Sequence, residues 1–436
     1  MEKTAGLIGD VPPCNTLAGS SQTARWHLEK NPQAITILFT PIITRLFPPE
    51  AYGALGTFSS LITILVPLVA LSYPMAIVLS RDDSEAVSLT QLSGLIALLF
   101  AAVTLFLALM FEGELLDYMG MENFTGLPYL FAFAVLFSGL AQVFRSWLLR
   151  EKDFSSLARM EVINSLFNNV SKSALGFFFP LAAALIGIYA FGQAVQTLLY
   201  TLGLKARRGL AALGTFDALA NAPVVARKFS DFALYRAPQG FINAISQSLP
   251  ILVLGFAFDQ AVVGYYALAK SILSAPLTLV GKSVSDVFYP RLAEAVAERE
   301  DVSRLLIRST LILFGIAALP FGVVFFYGPE LFSFVFGTQW HNAGVFAGWI
   351  SIWLLFGFIN RPSVSAIAPL GIQKFLLGYE VLSIVAKALA LAFGILVLKD
   401  ETISVALFSC AGAIVNLYLV LHVIRKARSI NEANQS

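Results

Sequence analysis

The sequence predicts an all-α membrane protein with about twelve transmembrane helices, and three observations support this fold class. Hydrophobic residues make up 57% of the 436 residues and charged residues only 13%, with a mean hydropathy of +0.77. Soluble domains contain about 25% charged residues, so this composition indicates a chain that crosses a membrane many times. The apolar residues form twelve separate runs, and the basic residues between the runs are unevenly distributed.

Each apolar run is close to the length that a transmembrane helix requires, which is about 20 residues. A single span in lipid must satisfy its own backbone hydrogen bonds, so each run is predicted to be helical. The predicted spans are residues 32–47, 54–79, 89–111, 127–149, 160–180, 182–203, 238–258, 261–286, 305–327, 344–368, 375–398 and 402–424.

The basic residues between the spans predict the orientation of the chain. Twelve spans place both termini on one side of the membrane. If that side is the cytoplasm, the inside segments hold 21 Lys and Arg residues, whereas the outside loops hold only Arg45 and Lys399. Because cytoplasmic loops carry the excess of Lys and Arg, we expect both termini to be cytoplasmic.

The longest connection between spans, residues 204–237, separates six predicted spans from six. We interpret it as a cytoplasmic linker between an N-lobe (32–203) and a C-lobe (238–424). An amphipathic helix along the membrane surface and a plain solvated loop are equally good interpretations of this linker. Residues 1–31 form a polar N-terminal segment without the apolar region of a signal peptide, and residues 425–436 form a predicted cytoplasmic tail.

The turn after the first span carries a recognisable motif, Thr-Arg-Leu-Phe-Pro-Pro-Glu-Ala-Tyr-Gly from Thr44 to Gly53. Proline interrupts helices, so this turn predicts a transmembrane hairpin. Three later stretches add to the pattern: residues 227–254, 275–294 and 336–344. This ordered set resembles the lipid-linked oligosaccharide flippases of bacterial polysaccharide synthesis, which belong to the MOP exporter superfamily. The resemblance covers roughly residues 33–425.

The resemblance implies two six-helix lobes around a central cavity, as in MATE-like transporters. It also implies a flippase that moves a polyprenyl-pyrophosphate-linked oligosaccharide from the inner to the outer leaflet of a bacterial plasma membrane. Such a protein works by alternating access and supplies surface polysaccharides such as O-antigen. The expected partners are an undecaprenyl-pyrophosphate type of lipid-linked sugar, membrane lipids, and H⁺ or Na⁺ as a coupling ion. Neither a cofactor nor a nucleic acid is expected.

Six basic residues lie within the predicted spans rather than between them. They are Arg145, Lys172, Lys270, Lys282, Arg361 and Lys387. Charged landmarks recur on the fourth and fifth spans of each half at nearly constant offset. The recurring pairs are Arg145 with Arg361, Glu161 with Glu380, and Lys172 with Lys387. This recurrence predicts an internal repeat, which is common in secondary transporters.

A cation at the centre of a bilayer costs about 2.5–3.5 kcal/mol, so these bases need an explanation. Arg145 and Arg361 are near helix ends, where a long side chain can reach the interface. Lys172 and Lys387 lie deeper, and we weigh a structural Glu–Lys pair in each lobe against a cationic cavity. In the cavity hypothesis the six bases bind pyrophosphate. Polar and acidic cavity residues then accompany them: Glu161, Asn168 and Glu380.

Enzyme signatures are missing from the sequence. The three His residues are scattered, and no Gly-Lys-Ser/Thr phosphate loop is present. We therefore expect a transporter without catalytic residues or a metal. One alternative is a MATE-like exporter of small molecules or drugs, which would favour acidic cavity residues for organic cations. A second is a membrane polysaccharide polymerase or ligase, which typically carries a large catalytic outer loop.

Overall fold

A computed structural model describes residues 32–80, 82–122, 124–206, 221–298, 300–367 and 369–435, and this part of the chain contains helices and no β-strand. The predicted polar segment 1–31 and most of the predicted linker, residues 207–220, lie outside the described residues. The described helices confirm the all-α fold class, with two lobes of six long helices each.

The N-lobe contains six long helices and two short ones. They are α1 (Pro32–Leu46), α2 (Pro49–Val69), α3 (Tyr73–Leu79), α4 (Asp83–Met110), α5 (Glu112–Met119), α6 (Leu127–Arg150), α7 (Phe154–Phe178) and α8 (Ala182–Ala206). The short helices are α3 and α5. Two apolar clusters, one around Phe58 and the other around Trp147, form the core of this lobe.

The C-lobe follows the short helix α9 (Ala222–Lys228) and a turn of π-helix (Phe232–Arg236). Its helices are α10 (Ala237–Ala257), α11 (Gln260–Ala297), α12 (Val302–Phe336), α13 (His341–Ile359), α14 (Arg361–Ala366), α15 (Gln373–Phe393) and α16 (Glu401–Gln435). A large apolar cluster around Trp340 and Phe346 forms its core. The lobes meet mainly where α2 packs against α10 and α11.

Two predicted spans are each divided into a long and a short helix. The predicted span 54–79 begins too late and misses a break, because α2 runs from Pro49 to Val69 and α3 then ends at Leu79, as predicted. Leu71 and Ser72 then have positive φ angles of 48° and 56°, which ends the helix before α3 begins. The predicted span 344–368 likewise ends at Ile359, ahead of α14. Proline lies in the first turn of both short helices, where its missing N–H costs nothing.

The ends of the C-lobe also differ from the prediction. The predicted tail from residue 425 continues as helix, because α16 extends to Gln435. Ala427 is buried there against Leu292 of α11 and Leu306 of α12. The described part of the predicted linker contains α9, whose buried residues Ala222 and Val225 lie on its contact with the N-lobe helix α4.

The outward surfaces of the bundle are apolar, as expected for helices that face lipid. Large side chains such as Phe106, Leu319 and Leu389 are two-thirds or more exposed. We call the end of the bundle with the Pro48–Pro49 turn the outer end, and the end with α9 the inner end. These names follow the orientation that the charge asymmetry predicts.

Candidate functional site

Two adjoining cavities lie between the lobes. The larger has a volume of about 570 Å³ and the smaller about 390 Å³. They share six lining residues, which are Thr36, Thr40, Asn169, Lys172, Ser271 and Ser274. The larger cavity extends toward Pro32 and Glu161 at the inner end. The smaller extends toward Ile43 and Tyr52 at the outer end.

Three of the four helices that line the larger cavity are not among the long apolar helices of the described chain. In the described part of the chain, nine helices are long and apolar enough to cross a membrane. The three long helices outside that set are α1, α7 and α11. The described part of α1 has 15 residues and spans about 22 Å. These three helices, together with α8, line the larger cavity, where water can solvate them in place of lipid.

Two lysines from different lobes reach these cavities. Lys172 of α7 lines both, and Lys270 of α11 lines the smaller one. The Lys270 ammonium donates a hydrogen bond of 2.8 Å to the carbonyl of Gln247 and lies 5.9 Å from the Tyr266 ring centroid. Among the described side chains, no carboxylate lies within 4 Å of either lysine, so both positive charges are available to an anion.

The remaining lining is rich in small hydroxyl and amide groups. Ser165 donates to the Pro32 carbonyl at 2.9 Å, and Asn169 donates to the Ser165 carbonyl at 2.8 Å. Across the lobes, the Thr278 hydroxyl donates to the side-chain oxygen of Gln33 at 3.1 Å. Such groups have spare donors and acceptors that can bind sugar hydroxyls or water.

Glu161 pairs with a different base from the one expected. A structural Glu–Lys pair predicts that Glu161 binds Lys172 on the same helix. Instead Arg145 of α6 lies 3.4 Å from Glu161, measured from Nε to Oε1, and both side chains are partly exposed. The predicted pairing of Glu161 is therefore corrected, because an arginine from the neighbouring helix is within reach. Asn168 lines the larger cavity as expected.

The C-lobe positions of the proposed repeat have other surroundings. The ammonium of Lys387 lies 5.5 Å from the ring centroid of Trp353 and 5.8 Å from that of Phe408, a cation–π arrangement. It is not part of the lining of the two cavities. Arg361 and Glu380 are exposed and also lie away from that lining. The side chain of Lys282 lies outside the described residues.

At the outer end the lobes are tied together by hydrogen bonds to backbone carbonyls. The Trp340 indole and the Gln339 amide both donate to the carbonyl of Thr44, at 2.8 and 2.7 Å. Arg45 of the N-lobe donates a hydrogen bond to the carbonyl of Phe334 in the C-lobe at 2.8 Å. Trp340 is fully buried, and its ring packs edge-on against Tyr52 at 5.1 Å.

A close approach of two helices completes this contact. A Cβ atom added at Gly53 would lie 1.7 Å from the backbone oxygen of Gln260. One added at Gly264 would lie 2.1 Å from the oxygen of Pro49. We call the contacts of Thr44, Arg45 and Gly53 with the C-lobe the outer seal. In the sequence these motifs were recognisable only by their resemblance to a family. Every residue has a backbone carbonyl, so no residue pattern predicts which carbonyl accepts a hydrogen bond.

The described residues contain no cluster of three or more His, Cys, Asp or Glu side chains that could hold a metal ion. The lining of the two cavities consists of two lysines, of Glu161, which pairs with Arg145, and of neutral side chains, many of which can form hydrogen bonds. Such a site can bind an anion that also carries hydroxyl groups.

Comparisons with known proteins point to polysaccharide biosynthesis. A family profile described as polysaccharide biosynthesis protein matches residues 42–344. The amylovoran biosynthesis protein AmsL of Erwinia amylovora is 21% identical over 56% of this chain and 60% of its own length. The succinoglycan biosynthesis transport protein ExoT of Rhizobium meliloti is 23% identical over 72% of this chain. The match covers 61% of ExoT, so this chain spans about three-fifths of each relative.

Solved structures share the fold. An inward-facing multidrug resistance MATE family transporter of the MOP superfamily superposes with a TM-score of 0.71 and 13% identity, over 92% of this chain and 96% of the transporter. The lipid II flippase MurJ in an inward closed conformation gives a TM-score of 0.69 and 15% identity, over 94% of this chain and 89% of MurJ. At these identities the comparison concerns the fold.

Proposed function

We propose that this chain, which belongs to the polysaccharide biosynthesis protein family, moves a polyprenyl-pyrophosphate-linked oligosaccharide across a bacterial plasma membrane. The observation that carries the proposal is the pair of lysines, Lys172 and Lys270, that reach the central cavities from opposite lobes without a carboxylate partner among the described side chains. Desolvating an unpaired anion is costly, so a pyrophosphate in the membrane interior requires charges of this kind.

The two parts of the proposed substrate fit different parts of the molecule. The pyrophosphate binds Lys172 and Lys270, while the sugars contact the hydroxyl and amide groups of α1, α7 and α8. The polyprenyl tail remains in lipid beside the gap between α1 and α11, where Gln33 and Thr278 make a hydrogen bond. A tail that stays in lipid loses none of its hydrophobic free energy during the crossing.

The closed outer seal supports an alternating-access cycle that begins at the inner end. The substrate enters the larger cavity from the inner leaflet while the contacts of Thr44 and Gly53 hold the outer end shut. The seal then opens as the lobes rock apart and α2 separates from α11 at the outer end, and the substrate leaves to the outer leaflet. A gradient of H⁺ or Na⁺ supplies the energy for return, and both termini are cytoplasmic.

The charge of the lining favours this proposal over a drug exporter. A cavity for organic cations would carry free carboxylates, whereas the acidic lining residue of the larger cavity, Glu161, is paired with Arg145. A polymerase or ligase would instead require catalytic groups on a large outer loop. The described outer connections are short, and the longest, from Phe111 to Gly126, carries the eight-residue helix α5.

Transport in cells tests the proposal. In a strain whose surface polysaccharide depends on this protein, Lys172→Gln or Lys270→Gln should lower the polysaccharide about tenfold or more, since each removes a charge-assisted contact. Lipid-linked oligosaccharide should accumulate in the inner leaflet. Arg159→Gln is the control, because Arg159 is exposed on the same helix as Lys172 and lines neither cavity.

Two results would overturn the assignment. Normal polysaccharide in the variant that lacks both lysine charges would show that another group binds the substrate. Loss of folded protein from the membrane in Lys172→Gln, in proportion to the loss of polysaccharide, would show that Lys172 has a structural role and is not a ligand.

A further inference from the structure

A separate pocket of about 300 Å³ lies at the inner end, where the N-lobe meets the start of the C-lobe. Its lining includes two arginines and three amides and contains no carboxylate. The arginines are Arg145 and Arg236, and the amides are Gln142, Gln239 and Asn243. We call this space the inner pocket.

The two arginines come from different parts of the fold. Arg236 ends the π-helix before α10, and its guanidinium donates to the amide oxygen of Gln239 at 2.9 Å. Among the described side chains no carboxylate forms an ion pair with Arg236, and the neutral amide of Gln239 does not compensate its charge. Arg145 is paired with Glu161, but at 3.4 Å and with both side chains partly exposed. A pair of this kind contributes little free energy, so an incoming anion can displace the carboxylate.

The inner pocket connects to the central cavities through a row of shared side chains. An intermediate cavity of about 240 Å³ shares Gln142 and Arg145 with the inner pocket. It shares Tyr189, Gln193 and Gln196 with the larger central cavity. Lys172 lines that larger cavity, so a series of adjoining cavities extends from the inner pocket to the proposed binding site.

We propose that Arg145 and Arg236 form an entrance subsite that binds the pyrophosphate of the substrate before it passes to Lys172 and Lys270. This inference rests on the proposed function. Guanidinium groups bind phosphate oxygens in a bidentate manner, and two of them around one pocket match the two phosphates of a pyrophosphate. Glu161 is the internal counter-ion that occupies Arg145 when the subsite is empty.

The subsite is tested by the binding of inorganic pyrophosphate to the purified full chain in phosphatidylcholine nanodiscs. The background is Lys172→Gln with Lys270→Gln, which removes the central bases. In this background we expect residual binding that Arg236→Gln or Arg145→Gln weakens about tenfold or more, the loss of a charge-assisted contact. Arg227→Gln is the matched control, since Arg227 is exposed on α9 at the same end and does not line the pocket. This control should leave the binding unchanged.

A second variant separates a binding role from a structural one. Glu161→Gln removes the competing carboxylate from Arg145, so it should tighten pyrophosphate binding several-fold. A purely structural role of the Arg145–Glu161 pair predicts weaker binding or a lower unfolding temperature instead. The proposal is overturned if the double-lysine background binds no pyrophosphate, or if its binding survives Arg236→Gln.

An anionic phospholipid headgroup carries the same phosphate chemistry, and a change of lipid distinguishes this source. Nanodiscs with phosphatidylglycerol in place of half of the phosphatidylcholine should leave the pyrophosphate affinity unchanged. A loss of affinity that disappears in Arg236→Gln would overturn the substrate assignment, because it would show that the lipid headgroup occupies the pocket. Because binding is measured without transport, failure here is independent of the polysaccharide assay that tests the proposed function.

Discussion

The indole nitrogen of Trp340 donates a hydrogen bond of 2.8 Å to the backbone oxygen of Thr44, and this bond joins the two lobes at the outer end. Trp340 belongs to the C-lobe core and is fully buried, whereas Thr44 lies in the last turn of α1. Buried polar groups are costly when they lose their partner, so this contact stabilises the closed state of the outer seal. The exchange between states must include the breaking of this bond.

Trp340→Phe should shift the protein toward an outward-open state, because phenylalanine retains an aromatic ring but lacks the indole N–H that donates to Thr44. A cysteine in place of Ser59, in a background without native cysteines, reports on the smaller cavity. A membrane-impermeant thiol reagent added outside intact cells should label it faster in Trp340→Phe. Trp349→Phe is the control, since Trp349 packs on Phe325 within the C-lobe. Equal labelling in both variants would contradict the role of the Trp340 bond.

Gly264→Ala should prevent closure of the outer seal. The added methyl group would lie 2.1 Å from the Pro49 oxygen, far inside van der Waals contact, so α2 and α11 must separate. We expect strongly reduced transport and faster outside labelling of the cysteine at Ser59, with the protein still in the membrane. The matched control is Gly315→Ala on α12, where the methyl group meets open space and the helix gains up to about 1 kcal/mol. Unchanged transport in Gly264→Ala would show that transport does not require α2 and α11 to approach this closely.

Lys387 should matter less for anion binding than its repeat partner Lys172. Lys387→Met retains the packing against Trp353 and Phe408 and loses only the cation–π attraction, about 0.5–2 kcal/mol. We expect folded protein with pyrophosphate affinity within a few-fold of the unmodified chain, whereas Lys172→Gln should lower it about tenfold. Titration with inorganic pyrophosphate and thermal unfolding measure both effects. Similar losses of pyrophosphate affinity in the two variants would show that both lysines bind the anion.

Asp301 should stabilise the inner end in a pH-dependent manner. Its carboxylate accepts from the backbone N–H of Arg304 at 3.0 Å and from Asn431 of α16 at 2.7 Å. The backbone hydrogen bond from Arg304 lowers the pKa of Asp301 below its usual range. Asp301→Ala should therefore cost about 1 kcal/mol, the typical value of a helix N-cap.

Because the folded-state pKa of Asp301 is lowered, its contribution is complete above the unfolded pKa of about 3.9 and disappears as the pH falls through the folded value. At pH 7 the variant should thus unfold at a lower temperature than the unmodified chain, and this difference in unfolding temperature should narrow below about pH 4. Asp231→Ala is the control, since Asp231 makes no cap hydrogen bond. A difference in unfolding temperature that is constant with pH would mean that the charge of the Asp301 carboxylate does not contribute to stability.

The uneven distribution of bases predicts the membrane orientation. A cysteine at Thr215, in a background without native cysteines, should be protected from a membrane-impermeant thiol reagent in intact cells, and one at Asn123 should react. Cytoplasmic loops retain Lys and Arg, and 21 bases against two make the opposite orientation unfavourable. Labelling at Thr215 from outside would show that the orientation is reversed.

The number of long helices follows from the sequence because the hydropathy of about 20 consecutive residues decides whether a helix lies in lipid. The described residues contain twelve long helices, and polar residues of α7 and α11 line the larger cavity. Helix ends are less predictable. The break at Leu71 and Ser72 depends on positive φ angles that residues other than glycine rarely adopt. The hydropathy of this run therefore does not predict the break.

The sequence alone determined that this protein is a two-lobed bundle of membrane helices with basic residues within its spans, because hydropathy and charge are properties of each residue in its local segment. Only the tertiary structure decided what each base contacts. Lys172 and Lys387 lie at corresponding positions of the predicted repeat, yet one lines the cavities and the other lies near two aromatic rings. Glu161 binds Arg145 on a neighbouring helix, and Trp340 binds a backbone oxygen of the opposite lobe. Such contacts join residues far apart in the chain, and they depend on how the helices pack rather than on the pattern of any one helix.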